Sequence, residues 1–361
     1  MTTPTFAQVD LSAIVENFRL AQSLSAGGQC IAVVKANAYG HGLIAVASAL
    51  VALAPALAVA RLDEAELLRS ADIDTPILLL EGALDEAELK RAAQLQCWVV
   101  IENEQQLSAI TQLKLIRPVR VWLKFDTGMH RLGLPPERAM AVVKQLSDCA
   151  NVEGEIVLMT HLACADEPAD VRNQQQLEHL FRAVQDLSNP LSVANSAALL
   201  TMPVARAQWN RPGYMLYGGS PLSAITSKAL ALKCSMTLKS SVISLRTVAV
   251  GEQVGYSGNW CAQRQSIIAT VAIGYGDGYP RAARNGTPVL VGGQRGALAG
   301  TVSMDMIGVD VTDLADIAIG DEVILWGEQL SVDEIAQCAG TIGYELLARM
   351  PARTLRRYIN G

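Results

Sequence analysis

Eight short apolar runs pace the first two thirds of this chain: CIAVVK from residue 30, ALAVARL from 56, PILLLEG from 76, CWVVIE from 97, VRVWLKFD from 119, EIVLMTHL from 155, LSVANS from 191 and a weaker AQWNRPG from 207. Runs this apolar, without alternation, suit strands buried on both faces, and parallel strands of that kind need a covering helix between each pair. The intervening segments supply it. LDEAELKRAAQL after Glu81 and NQQQLEHLFRAVQDL after Asp170 carry apolar residues at helical spacing. Eight such repeats in about 230 residues predict a closed (β/α)8 barrel over 1–232 rather than an open doubly wound sheet.

Beyond residue 232 the pattern changes to TLKSSVISLRTVAV, QSIIATVAIGYG, TPVLVGG and GTVSMDMIGVDV, in which apolar and polar residues alternate between glycine-bearing turns. This predicts a mostly β domain over 233–361, with the opening residues of the chain as candidates to pack on it. SVDEIAQCAG and GYELLARM read as closing helices, and no low-complexity linker separates the halves.

Composition narrows the class of function. With 29 basic and 35 acidic residues and no long run of either sign, nothing predicts a nucleic-acid surface. The start has no cationic segment leading into an apolar one, and no window reaches the ~18 apolar residues of a membrane span, so a soluble, unexported protein is expected. Seven scattered cysteines without a CxxC pair favour a reducing cytoplasm. Four histidines without HxH or HExxH spacing argue against a transition-metal enzyme. The expected partner is a small molecule.

In an α/β barrel the chemistry sits at the C-terminal ends of the strands. Here those ends read Lys35, Arg61, Glu81, Glu102, Lys124 with Asp126, His161, Asn195 with Ser196, and Arg211. A lysine desolvated at a barrel mouth has its pKa pushed down, and a neutral amine can form a Schiff base with a carbonyl; a structural lysine is the plainer alternative. Gly40 and Gly42 would let backbone approach a bulky group, and Tyr39 could donate to a phosphate. Ser196 reads as an N-cap or as a phosphate-holding residue at a helix start, and the Arg211 to Gly213 segment repeats the theme. Phosphate loops after the seventh and eighth strands, together with a reactive lysine, suggest pyridoxal phosphate.

With these residues in view, the chain resembles the bacterial alanine racemases, fold-type III pyridoxal-phosphate enzymes, from around Thr5 to Gly361. AVVKANAYGHG is similar to the family's cofactor-lysine signature, which makes Lys35 the cofactor's attachment point and puts Tyr39 on its phosphate. LKFDTGMHRLG resembles the segment with the carboxylate-binding arginine, here Arg131, and a lysine that is often carbamylated, here Lys124, which would orient it. MTHLACAD implies His161 beside the arginine at the pyridine nitrogen. ANSAA implies Ser196 on the phosphate with Asn195 nearby. RPGYMLYG implies Arg211 on the pyridine nitrogen, with the Gly213 and Tyr214 amides on the phosphate. In the β domain, VGYSGNW resembles the segment with a second catalytic base, Tyr256, and VSMDM the one whose Met304 and Asp305 line the substrate pocket. GYGDGYPR and TIGYELLAR place Tyr275 near that tyrosine's network and Tyr344 at the phosphate and the entrance. The chain departs from the usual pattern at Pro212, at Ser257 where glycine is usual, and at Ser303 where cysteine is common.

The resemblance implies interconversion of L- and D-alanine by two bases on opposite faces of the cofactor, Lys35 for the D isomer and Tyr256 for the L isomer. Tyrosine is a poor base at neutral pH unless its phenolate is stabilised, a role implied for His161 and Arg211. A head-to-tail homodimer with shared sites is implied as well. Serine or broad-specificity racemisation is the near alternative. A non-catalytic pyridoxal-phosphate carrier would lack the second domain, and a decarboxylase of this fold type would carry an acidic residue in place of Arg211.

Overall fold

A computed structural model describes residues 4–361. The apolar runs form one parallel sheet: Gln29–Cys30 with Ala32–Val33, then Leu57–Val59, Ile77–Leu79, Cys97–Ile101, Val121–Lys124, Val157–Met159, Leu191–Ser192 and Trp209–Asn210. The first run closes the ring because its two pieces face different neighbours. Its Gln29, Ile31 and Val33 N–H groups donate to the carbonyls of Gln208, Asn210 and Pro212, while Ala32 and Val34 donate to Ala56 and Ala58. The sheet is therefore a closed (β/α)8 barrel, as the repeat predicts. Glu86–Gln94 and Val171–Val184 are among its outer helices, with Asp85 and Asp170 as N-caps.

The lumen is filled from the N-terminal end. Trp98 and Trp209 lie on the fourth and eighth strands, so their ring contact at 5.7 Å has to cross the barrel, and Trp122 packs against both. Side chains alternate along a strand, so Glu102 and Lys124 face the same lumen at its C-terminal end. The parallel register that pairs Ile101 with Leu123 sets these two side by side.

The second domain is an antiparallel sheet organised by the 13-residue strand Met236–Val248. Ser266–Val271, Ile307–Asp310, Gln294–Leu298, Pro288–Val291 and Glu322–Trp326 lie side by side in that order, and the first and last of these both pair with Met236–Val248. Phe6–Asp10 also belongs to this sheet, antiparallel to Met236–Val248 and parallel to Leu355–Ile359. Asp10 then caps the helix Leu11–Leu24, which leads into the barrel. The segment GTVSMDMIGVDV is a strand only from Ile307; 301–306 forms a loop. Among the described residues no helix is long and apolar enough to cross a membrane.

Candidate active site

Lys35 ends the first barrel run and leads into a left-handed turn: Ala36, Asn37, Ala38 and Tyr39 have φ of 53°, 55°, 53° and 49°. This backbone costs about 1–2 kcal/mol per L-residue, so it persists only where its surroundings hold it. Glu64, on the next helix, accepts from Ala36 N–H at 2.6 Å and from Ala60 N–H at 2.8 Å. Asn37 Oδ1 accepts from Leu43 N–H at 2.8 Å. His41, fully buried, donates from Nδ1 to the Tyr39 carbonyl at 2.8 Å and turns Nε2 to the Ser235 hydroxyl at 2.9 Å, tying the turn to the start of the β domain. Burial lowers the His41 pKa to about 4. Gly40 does not make room for a ligand. Its φ is 76° and a Cβ there would lie 1.9 Å from the Leu347 carbonyl, so a helix of the second domain claims the space.

The Lys35 amine has no hydrogen-bond partner among the described residues. Burial first, then the positive charge of Arg131, lower its pKa, while Glu81 and Glu64 act the other way. Arg131 is exposed, with no carboxylate paired to it among the described residues. Lys124 is buried, and desolvation lowers its pKa to about 8 against the opposing pull of Glu102. Glu102, raised by burial, keeps Oε2 shielded and without a donor. Three members of the strand-end ring are engaged with protein groups. Arg61 pairs with Glu81 at 3.8 Å, and Asp126 accepts from the N–H groups of Gly128, Met129 and His130 in its own loop.

Arg211 is 5 % exposed. It donates to Ser192 Oγ at 2.6 Å, to the Thr160 and Val193 carbonyls at 2.8 and 3.3 Å, and to His161 Nδ1 at 3.4 Å. Burial lowers its pKa only to about 10, so it stays charged at neutral pH. Burial and then Arg211 push His161 well below its usual range, so it is the neutral imidazole whose Nδ1 can accept from a guanidinium.

Asn195 is the N-cap of Ser196–Thr201, accepting from Ala198 N–H at 3.0 Å, which frees Ser196 from the capping role. Ser196 Oγ accepts from the Gly213 and Met215 N–H groups at 2.8 and 3.3 Å, so it fastens one expected phosphate loop to the other, and the Gly213 amide already has an acceptor. Tyr39 lies over this junction: a Cβ on Gly213 would come within 2.7 Å of its hydroxyl, which makes no hydrogen bond among the described residues. Tyr39 stacks on Tyr217 at 4.7 Å, and Tyr214 stacks on Tyr344 at 3.7 Å. The Tyr214 hydroxyl donates to Asp333 at 2.6 Å. Burial leads, and Asp333 adds to, the upward shift of the Tyr214 pKa.

Tyr256, Tyr275, Met304 and Asp305 form a second group on the β domain. The Tyr256 carbonyl accepts from Thr301 Oγ1, but its side chain is 70 % exposed. Ser257 has φ of 61°, the physical reason a glycine suits that position. Tyr275 and Gly276 N–H groups donate to the Ser303 and Met304 carbonyls, and Arg353 bridges Asp277 and Asp305 at 2.8 and 2.6 Å. Among the described residues no hydrogen bond, ion pair or ring contact joins this group to Lys35 or Arg211. Sequence reasoning missed Glu64, His41, Thr160, Ser192, Tyr217 and Asp333 as supports. Only Glu64 and Asp333, each a carboxylate in the first turn of a helix, carried a local signal.

This geometry has close counterparts. The alanine racemase N-terminal domain model matches residues 9–221 and the C-terminal domain model residues 235–358. The alanine racemase of Pseudoalteromonas atlantica is 46 % identical over the full length of both chains. The biosynthetic alanine racemase of Pseudomonas aeruginosa is 49 % identical over 98 % of this chain and 99 % of its own. The crystal structure of that biosynthetic enzyme superposes with a TM-score of 0.96 over 99 % of this chain and 100 % of its own, at 49 % identity. The Bartonella henselae alanine racemase, solved with covalently bound pyridoxal phosphate, gives a TM-score of 0.90 at 31 % identity over 99 % and 100 % of the two chains. The chain belongs to the alanine racemase family.

Proposed function

We propose that this protein interconverts L-alanine and D-alanine with pyridoxal 5′-phosphate held at the C-terminal mouth of the barrel. The buried Arg211 carries this reading. It is a permanent cation that no carboxylate pairs with among the described residues, so it fits an unprotonated pyridine nitrogen, to which it donates without giving up its proton. A carboxylate there would favour a protonated ring and the chemistry of a decarboxylase.

The other residues fit the same group. Lys35 would attach it, the Tyr39 and Ser196 hydroxyls and the Tyr214 amide would hold its phosphate, with Gly213 and Asn195 shaping the loops, and Tyr344 would line the entrance. When bound, pyridoxal phosphate supplies an electron sink that makes the α-hydrogen of an attached amino acid acidic. Lys35, its amine made easier to deprotonate by burial, takes or returns that proton on one face. Tyr256 does so on the other, with Tyr275 in its network. Arg131 and the Met304 N–H hold the substrate carboxylate, with Asp305 beside them, and Lys124, carbamylated, orients Arg131. The exposure of Tyr256 and Met304 supports a homodimer in which each β domain covers the partner's barrel mouth. All seven cysteines are unpaired, as suits a reducing cytoplasm, and the likeness to a biosynthetic relative supports D-alanine supply for peptidoglycan precursors.

Incubation with L-alanine, L-serine and larger L-amino acids in deuterated water, followed by chiral analysis, tests the reading. Deuterium at the α-carbon of both alanine enantiomers is expected. Incorporation into none of the amino acids would overturn racemisation, and equal incorporation into serine or larger side chains would replace alanine with a broader substrate class.

A further inference from the structure

The N-terminal mouth of the barrel, away from Lys35, holds an arginine that the protein leaves without an acceptor. Arg120 directly precedes Val121–Lys124, and its guanidinium carbon lies 4.7 Å from the centre of the Trp98 ring and 5.5 Å from that of Trp209. These indoles belong to the cluster that crosses the lumen and confine the guanidinium carbon, but a π face accepts no conventional hydrogen bond. Among the described residues no carboxylate, carbonyl or hydroxyl accepts from the Arg120 side chain, and its Nε is fully shielded. The Nε1 of Trp122, in the same cluster, is also a buried donor without a partner. A plug serving stability alone would be built from apolar side chains and would leave no such donors.

Two clefts, of about 970 and 830 Å³, open at this mouth, and Trp98 and Arg120 line both. Arg69 and Arg117 face the first and Arg206 the second, against Asp74 and Glu153 in the first and Glu155 in the second. Arg69 and Arg206 donate to the Leu95 and Leu199 carbonyls at 2.9 and 3.0 Å, which holds their charge in place, and no carboxylate reaches Arg120.

We propose that Arg120 anchors a second ligand site, at the barrel's N-terminal mouth, for a compact oxyanion: a phosphate group or a small carboxylate taken edge-on by the guanidinium fork. A guanidinium presents its N–H groups as a planar fork, which matches two oxygens of one carboxylate or phosphate. The surrounding guanidiniums favour an anion over a neutral ligand. The site is independent of the racemase reading, because the strand ends that build it are opposite to those that carry Lys35.

Three of the five tryptophans belong to this cluster, so intrinsic fluorescence reports on it. The cofactor-loaded protein, whose own phosphate subsite is filled, is titrated with inorganic phosphate and separately with succinate, at constant ionic strength set by sodium chloride. A saturable change with at least one of them is expected, with a Kd in the millimolar range or tighter, and the arm that saturates says which oxyanion the site takes. Arg120→Met should weaken it about tenfold or more, and Glu155→Gln should tighten it. Racemase turnover of these variants, remote from Lys35, confirms that they fold. If Arg120→Met does not fold, Arg120→Lys decides, since it keeps the charge and loses the fork. No saturable change up to about 50 mM of either anion, or equal affinity in wild type and the foldable Arg120 variant, would overturn the proposal.

Discussion

Arg211 is 5 % exposed and hydrogen-bonded to four groups of the barrel, whereas Tyr256 is 70 % exposed and held through its backbone alone. Both lie in segments that resemble family signatures, yet only the first has its side chain fixed by hydrogen bonds among the described residues. A side chain fixed as Arg211 is needs no ligand to place it. Among the described residues no hydrogen bond holds the Tyr256 side chain, so the fold of one chain leaves its orientation open. The barrel residues are held in place by folding alone, whereas Tyr256 stands exposed on the β domain.

The sharpest way to break that contrast is to inactivate each half separately. Lys35→Ala and Tyr256→Phe should each lower racemisation by about 10²–10⁴-fold, and Lys35→Ala should also lose the visible absorbance of the bound cofactor. Mixed under subunit exchange, the two inactive proteins should recover about a quarter of wild-type activity, because half of randomly paired dimers carry one intact site of two. No recovery despite demonstrated exchange would mean that each chain completes its own site, and the contrast would fall.

A smaller effect tests how the barrel half is tied to the β domain. Burial lowers the folded-state pKa of His41 to about 4, below the usual 6.5, so the unfolded chain takes up the proton first as pH falls. The stability linked to His41 is therefore full above pH 6.5 and lost between 6.5 and 4, by about 3 kcal/mol at most. Urea unfolding of wild type and His41→Asn across that window should show the wild type losing this increment and the variant lacking it. Parallel curves would free His41 of the role. The smallest effect concerns backbone strain in each half: Ala36→Gly and Ser257→Gly, both at positive φ and exposed, should each stabilise by up to about 1 kcal/mol in the same assay.

The barrel was legible because its runs are apolar without alternation, which demands cover on both faces, and because eight of them alternate with helices, which favours a closed ring over an open sheet. The strand-end ring was legible for the same reason, since a strand's last residue lies at the mouth whatever its type. The left-handed turn after Lys35 was not. Ala36 and Ala38 carry no mark of it, and the conformation is imposed by Glu64 and by the long-range link from His41 to Ser235. Sequence pattern could not separate the two uses of glycine either: Gly40 serves the packing of a distant helix, whereas Gly213 lets the Tyr39 hydroxyl approach. The loop carrying Met304 read as strand because its residues alternate, while its backbone bonds instead to 275–276.

The placement of Phe6–Asp10 bears on how the chain matures during synthesis. This strand leaves the ribosome long before its neighbours in the sheet, Met236–Val248 and Leu355–Ile359. The barrel's last strand, Trp209–Asn210, emerges before either. The nascent protein therefore carries an unpaired edge until Leu355–Ile359 has emerged, while the barrel can already close. Truncation just after the barrel would leave that edge without either of its partners, an open template for pairing with other chains.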